Sequence, residues 1–558
     1  MAFTYQHPYA FDPAYKTAVA YFSMEYAIQQ PLKTYAGGLG FLAGAHMRSA
    51  HDTRQNITGI GILWKYGYYD QLRRADQGME VEFIEKVYGF LQPTHLRFTI
   101  SIAAHDVWVT AWYLPPAVFN TAPIFLLSTD LPENDYLSKT ICHKLYDANP
   151  ETRMAAAILL GAGGARLLEL MGKEPAVYHL NESHALPLAF YLYKKFQSKE
   201  EVQKRLVYTN HTPEAAGNLQ TNIGLLEKLG FFCGVETATL HDIAFIRGAM
   251  LDHTLTALKL CGKANAVSKK HYSTLLKMWP GEPLCNKFIS ITNAQHFHYW
   301  QDEALYAALA ANDDAAMVKQ KQRSKQQLFE IVADQAGEIY DPAVLTIVFA
   351  KRFAAYKRAD LLLYDMERFK SLVTNQRRPV QIIWAGKPYP MDYTAIAVFD
   401  KIANLCKEYS NCAILAGYEL RLSKALKRGA DLWLNLPRLT HEASGTSGMS
   451  AAMNGAINCS TLDGWMPEFA KDKVNAFIIP PCDENALDHL QDAADAAALY
   501  DLLEQEVLPC YYDQPAKWQQ MIKNSLHDII PYFDSDRMVR DYYQHLYTCT
   551  EESSADLG

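Results

Sequence analysis

The stretch THEASGTSGMSAAMNGAINCSTLDGW, residues 440–465, decides how the rest of this chain is read. It opens as a loop of small residues, runs into a helix, and leaves by a short strand that ends in Asp463-Gly464-Trp465. Between Gly445 and Gly448 the side chains are small enough for backbone amides to approach an anion closely. Glu442 stands at the mouth of that loop, where a carboxylate can accept hydrogen bonds from a ligand rich in hydroxyls. The plainer reading is a capped helix start, with Ser444 or Thr446 as N-cap. Ser450 follows eight residues after Glu442, early in the helix, and its role is the question the stretch poses.

Outward from this stretch, short β-branched and apolar runs alternate with helical segments, the pattern of parallel sheets covered by helices. Before it lie the candidate strands 345–350, 380–386, 412–417 and 431–437, and within it 456–461. The first half of the chain carries the same pattern at 18–24, 58–64, 123–129, 176–181, 205–211 and 288–293. A polar helix, DDAAMVKQKQRSKQQLFEIVADQAGEIYD, reads as the connection between the halves. The division expected is a Rossmann-like domain over 1–340, a second over 341–500, and a helical segment over 501–558 that packs back across the lobes and frays at TEESSADLG. Two doubly wound α/β halves place ligands outside the carboxyl ends of their strands, in a cleft between the domains.

The bulk properties bound the class. A chain of 558 residues exceeds what one core supports. Its net charge of −8, without a long basic run, argues against nucleic acid as a partner. No apolar segment is long enough to span a bilayer, and the first residues lack the apolar stretch of a signal peptide. The cysteines show no CxxC spacing and read as reduced, buried thiols, so a soluble cytoplasmic protein is expected.

Other motifs follow the candidate strands. After 18–24 comes LKTYAGGLGFLAGAHMRSA, where Gly37, Gly38 and Gly40 precede a helix whose free N–H groups suit an anion. A glycine-rich turn of this kind is more often only a turn. After 345–350 comes KRFAAYKR, with Lys351, Arg352, Lys357 and Arg358. A solvated basic face is the default for such a run, but its place at a strand end suits a phosphate, gripped by the guanidinium fork of Arg352 and the point charge of Lys357. His184 and His211 follow two further strands and read by default as core or turn histidines, with His211 a candidate for a sugar hydroxyl. No HExxH or cysteine pair marks a metal site.

Taken in order, these segments resemble the α-glucan phosphorylase family, especially its shorter bacterial branch. The likeness runs through YFSMEYAIQQPLKTYAGGLGFLAGAHMRSAHD, VYHLNESHALPLAF, VYTNHTPEAAGN, NAVSKKHYSTLLKMW, ITNAQHFHYW, FAKRFAAYKRADLLL and IIWAGKPYPMD to the opening stretch, over about residues 18–470. It implies a GT-B type fold and retaining transfer of a glucosyl unit at the end of an α-1,4-glucan, with phosphate or a phosphorylated sugar as the other partner. It assigns Gly37, Gly38 and Gly40 to the glycine loop near the phosphates, and Lys351, Arg352 and Lys357 to the cationic cluster. Glu442, Ser444 and Gly445 match positions that hold glucose hydroxyls, and Thr446 lies on the side of the cofactor phosphate. Arg352, Lys357 and Glu442 are the candidate catalytic set.

The resemblance breaks at Ser450. There the family has the lysine that forms a Schiff base with pyridoxal phosphate, and a hydroxyl cannot form that imine. Covalent attachment at residue 450 is excluded, which leaves untethered pyridoxal phosphate, held by Lys351, Lys357 and the glycine loop, or none. Ala45 replaces the short branch's usual Asp, and ANAVS replaces VNGVS. Sugar-nucleotide enzymes such as glycogen synthases are similar in keeping Arg and Lys five apart and two glutamates eight apart; Glu442 fills the first acidic place and Ser450 falls on the second. Three readings follow: a phosphorylase-like glucosyl transferase, a transferase free of pyridoxal phosphate that uses another phosphorylated donor, and a non-catalytic glucan-binding or regulatory protein. A homo-oligomer is compatible with all three.

Overall fold

The computed structural model describes residues 3–214 and 217–548. The chain folds into two compact units. One comprises residues 1–68, 83–293 and 535–558, the other 69–82 and 294–534. The expected tail at TEESSADLG lies outside the described residues.

The first unit is built on nine strands: β1 (Val19–Phe22), β2 (Ile57–Ile62), β3 (Gln92–Ile102), β4 (His105–Leu114), β5 (Ile124–Ser128), β6 (Val177–Asn181), β7 (Leu206–Thr209), β8 (Lys263–Ala266) and β9 (Phe288–Ser290). Their order is β9-β8-β7-β6-β1-β2-β5-β4-β3. Seven run parallel, and β4 and β3 close one edge as an antiparallel hairpin. β1, β2, β5, β6 and β7 are buried along their whole length, which is why their sequences read as unbroken apolar runs. The hairpin instead alternates buried and exposed side chains. β1 pairs with β2 on one side and with β6 on the other, Val19 lying opposite both Ile57 and Val177. The winding reverses there, so the carboxyl ends of β1 and β6 frame this unit's switch point.

The second unit repeats the plan with β10 (Leu345–Ala350), β11 (Val380–Ala385), β12 (Cys412–Leu415), β13 (Leu432–Asn435), β14 (Ile457–Ser460) and β15 (Ala476–Ile478). The order is β12-β11-β10-β13-β14-β15, all parallel, and the switch point falls between β10 and β13. The α/β class with doubly wound parallel sheets is therefore as the sequence indicates.

The division differs from the expected one at residue 340. The polar helix Asp314–Ala336 is not a connector but a core element of the second unit. Leu328, Phe329 and Val332 pack with Val348, Ile383, Ala413, Leu415 and Trp433. Two of its lysines are buried: Lys325 Nζ sits 2.5 Å from Asp431, and Lys321 Nζ donates to the carbonyls of Arg428, Ala430 and Asn454 at 2.7–3.1 Å. Residues 69–82 also belong to this unit, held by Gln71, whose side-chain amide bonds Gly386 O at 2.9 Å and Gly417 N at 3.0 Å. The terminal helical segment is shared, with residues to Asp534 in the second unit and those from Ser535 in the first.

Candidate functional site

In the second unit the chain leaves β10 as Lys351 and Arg352, makes one short helical turn at Ala355–Lys357, and meets the chain leaving β13. Lys351 is buried and donates to Asn435 Oδ1 at the end of β13 and, at 3.2 Å, to Ser447 Oγ. Asn435 in turn donates to Asn458 Oδ1 at 2.7 Å, and Asn458 to Gly448 O at 3.2 Å. A Cβ at Gly448 would lie 2.7 Å from Asn458 Oδ1, so only glycine lets the helix approach this network. Lys357 Nζ forms an ion pair with Glu442 Oε2. Arg352 is exposed, and its charge acts on Lys357. The structure thus brings Lys351, Arg352, Lys357 and Glu442 together at one switch point.

It also gives two of the charged residues their partners. Lys357 and Glu442 face each other as an ion pair, the arrangement that a partly buried carboxylate and ammonium require. Arg358, fourth in the cationic run, is a brace. Its guanidinium bonds the carbonyls of Leu436 and Pro437 at 2.7 and 3.1 Å, and Asp492 and Asp495 at 3.1 and 2.6 Å.

Electrostatics separates the lysines. Burial first, and then the charge on Lys357, lower the Lys351 pKa to about 7 against the opposing pull of Glu442. Burial also works against the charge on Lys357, but Glu442 more than offsets it and the pKa is raised.

The 440–465 stretch folds on itself. Asp463 Oδ2 accepts from Glu442 N at 2.8 Å, and Trp465 N donates to Ser444 O at 2.9 Å. A Cβ on Gly464 would lie 2.3 Å from Ser444 O, so that close turn requires glycine. Gly445 has φ 85°, the left-handed region, and is N-cap of the helix Thr446–Ala452 without a side-chain cap bond. Neither Ser444 nor Thr446 is therefore the N-cap. Ser444 Oγ is buried with no hydrogen-bond partner among the described residues, two positions along the chain from Glu442. Ser450 is fully buried, and its Oγ bonds back to Thr446 O and Ser447 O, both at 3.3 Å. Position 450 does not fit covalent pyridoxal phosphate, since it supplies no amine and its hydroxyl is spent on its own helix.

The first unit has its own cavity at its switch point, of about 320 Å³, lined in part by Trp64, Tyr146, Arg153, Glu182, His184 and His211. Glu182 follows β6 with φ 71° and ψ 170°, a backbone conformation rare outside glycine. Its carboxylate accepts from Tyr208 OH at 2.9 Å, His211 N at 2.8 Å and Thr212 Oγ1 at 3.2 Å. Burial raises its pKa against those bonds. His211 Nε2 bonds Asn181 Oδ1 at 2.7 Å. Burial lowers His211 and His253 to about 3 and His184 to about 4, so all three imidazoles are neutral near pH 7.

The glycine loop lies here too. Gly37 is N-cap of the helix Gly38–Asp52. The amides of Ala36 and Gly37 do not point at open space: both donate to Glu25 Oε2, at 2.7 and 3.1 Å, while Tyr146 OH donates to Glu25 Oε1 at 2.5 Å. A Cβ on Gly40 would lie 2.9 Å from Glu25 Oε2, whereas one on Gly37 or Gly38 would meet no atom of the described residues within 4 Å. The loop's anion is thus an internal carboxylate. Among the described residues no group of three or more His, Cys, Asp or Glu gathers to hold a metal, and no helix is long and apolar enough to cross a membrane.

The sequence alone does not single out Asn435, Asn458, Glu25 or Glu182. The first two lie in adjacent strands, Asn435 at the end of β13 and Asn458 within β14, where a polar residue inside an apolar run could have marked them.

Comparison with known proteins agrees with this geometry. A family model described as carbohydrate phosphorylase matches residues 291–479, which contain the whole Lys351–Glu442 cluster. An uncharacterized protein of Methanocaldococcus jannaschii is 44% identical across 95% of this chain and 99% of its own length. A maltodextrin phosphorylase of Thermococcus litoralis is 33% identical across 96% of this chain and 71% of its own. A glycogen phosphorylase of Aquifex aeolicus is 30% identical across 96% and 87%. With identity at this level held across both units and not confined to the basic strand end, the chain belongs to the carbohydrate phosphorylase family.

Proposed function

We propose that the protein transfers α-glucosyl units, with retention, at the ends of α-1,4-glucans, with phosphate or a phosphorylated sugar as the second substrate. The observation that carries this is the meeting of Lys351, Arg352, Lys357 and Glu442 at the β10/β13 switch point. Charge builds on the phosphate oxygen in such a transfer, and preorganised cations stabilise it. In this reading Arg352 and Lys357 hold the phosphate, and Glu442, Ser444 and Gly445 orient the glucose. Lys351 and Thr446 serve a second phosphate group. The hydrogen-bonding cavity of the first unit, with His211, serves the glucan, and Gly37, Gly38 and Gly40 shape the loop beside it. Phosphate entering the cluster shares Lys357 with Glu442, so the ion pair acts as the resting partner of the ligand site.

Incubation of the full chain with glycogen and phosphate, with and without added pyridoxal phosphate, tests the phosphorolytic form. Glucose 1-phosphate is the expected product; none under either condition eliminates phosphorolysis and leaves the other donors. A second reading, a non-catalytic glucan-binding or regulatory protein, is favoured by Ser450 alone. It requires glucan binding unaffected by Arg352→Ala and no transfer from any donor.

A further inference from the structure

The cavity of the first unit holds a charge that the proposed function does not use. Besides its histidines, four acidic or basic side chains line it: Lys144, Asp147, Arg153 and Glu182. Three of them are engaged. Lys144 Nζ lies 3.9 Å from the centre of the Phe83 ring, and Asp147 Oδ1 accepts from Asn149 N at 2.8 Å. The two oxygens of Glu182 accept from Ser183 N, Tyr208 OH, His211 N and Thr212 Oγ1. Arg153 is half-buried, its Nε is closed off from solvent, and its guanidinium has no hydrogen-bond or ion-pair partner among the described residues. It is close enough to His184 and His253 for its charge to act on both. His184 Nδ1 is likewise buried without a partner among the described residues. Two unpartnered nitrogens on one cavity wall call for a ligand that completes them.

The place of Arg153 in its helix points the same way. The helix Pro150–Ile158 is capped by Asn149, whose side chain accepts from Glu151 N and Thr152 N. Arg153 stands one turn from that cap, where the positive end of the helix dipole disfavours a cation. The helix alone would be better served by an uncharged or acidic residue there. An anion in the cavity reverses the balance, because dipole and guanidinium then both attract it.

We propose that this cavity takes a carboxylate-bearing sugar, a uronic acid unit, with its carboxylate on the guanidinium fork of Arg153 and a ring hydroxyl on His184 Nδ1. A planar fork matches a planar carboxylate through two parallel hydrogen bonds. His184 and His253 are neutral near pH 7, so the uncommitted guanidinium matches a monoanion better than a phosphate dianion. The volume of about 320 Å³ stands at the lower end of the range for small-ligand pockets. The inference rests on the proposed function for the sugar ring alone; the acid follows from Arg153.

Calorimetry of the full chain at pH 7 with glucose, glucuronate and glucose 6-phosphate tests it. Glucuronate is expected to bind about tenfold or more tighter than glucose. Arg153→Gln should abolish that margin and Arg352→Ala should keep it, each variant with its melting temperature checked. Equal affinity for the two sugars, binding of neither, or a margin that survives Arg153→Gln overturns the assignment. A margin that depends on Arg153 for glucose 6-phosphate and not for glucuronate overturns the carboxylate. Hydrogen exchange of the wild type needs no variant to fold: glucuronate should protect the segments 144–157 and 182–184, and protection confined to the Lys351–Glu442 cluster contradicts the site. Glucuronate bound through Arg153 without glucosyl transfer sustains this inference and not the proposed activity, and phosphorolysis of glycogen without glucuronate binding does the reverse.

Discussion

The two switch points obey the same topological rule and hold opposite chemistry. In the second unit the strand ends gather Lys351 and Lys357 near Glu442, and pairing or burial sets how readily each is charged. In the first unit the strand ends gather imidazoles that burial keeps neutral, together with two carboxylates, Glu25 and Glu182, whose oxygens are already occupied by amides and hydroxyls. A parallel sheet that reverses its winding provides a place for a ligand; it does not decide the ligand's charge. The residues one to ten positions past each strand decide that: cations beside Glu442 in the second unit, buried imidazoles and internally bonded carboxylates in the first.

The largest effect that tests this contrast is structural. Lys325→Met strands Asp431 in the second unit's core, and loss of one partner of a buried pair is expected to cost about 3–5 kcal/mol. Denaturant unfolding would measure it, and a change near zero would show that the second unit does not depend on its buried charges. In the first unit the comparable lesion is steric. A Cβ on Gly44 would lie 2.1 Å from Ala27 O, so Gly44→Ala should destabilise by about 1–3 kcal/mol in the same assay.

Proton linkage sharpens the contrast. Lys351, lowered to about 7, gains its charge as pH falls through that value, and a bound dianion favours the charged form. Sulfate, a dianion throughout this range, should therefore bind the second unit's cluster more weakly above about pH 7, by up to about tenfold per pH unit. Calorimetry of the wild type and Lys351→Gln measures it, and only the variant should lose the slope. The histidines of the first unit run the other way with stability. Their folded pKa values near 3–4 lie below the unfolded 6.5, so the unfolded chain takes up protons first as pH falls below 6.5. Stability is full above that pH and declines toward pH 4, which hydrogen exchange resolved by unit would follow. The smallest effect expected is on sugar binding. His211→Ala should weaken maltoheptaose binding by about 1 kcal/mol, with no added dependence between pH 6 and 8.

Much of this is legible in the sequence because burial on both faces writes itself as unbroken apolar runs. β10, β11, β13 and β14 stand where those runs lie. The edge hairpin β3–β4 escapes that signal because it alternates instead, HLRFTISI and DVWVTAWYL, and KANA at β8 is too short and too poor in β-branched residues to signal a strand. The cationic cluster is legible as a set but not in its roles. Nothing local to KRFAAYKR says that Arg358 reaches Asp492 and Asp495, more than 130 positions along the chain, or that Lys357 meets Glu442. The glycine loop reads as a cradle for a ligand's anion, whereas the amides of Ala36 and Gly37 donate to Glu25 of the same loop.

The measurement that tests the central claim most directly is phosphorus NMR of phosphate and glucose 1-phosphate in the presence of maltodextrin, for the wild type and Arg352→Ala. Interconversion of the α-anomer is expected in the wild type, with kcat/KM reduced by about 10²–10³-fold in the variant while its fold is kept. Interconversion undiminished by the loss of Arg352 would contradict the assignment of this switch point as the transfer centre.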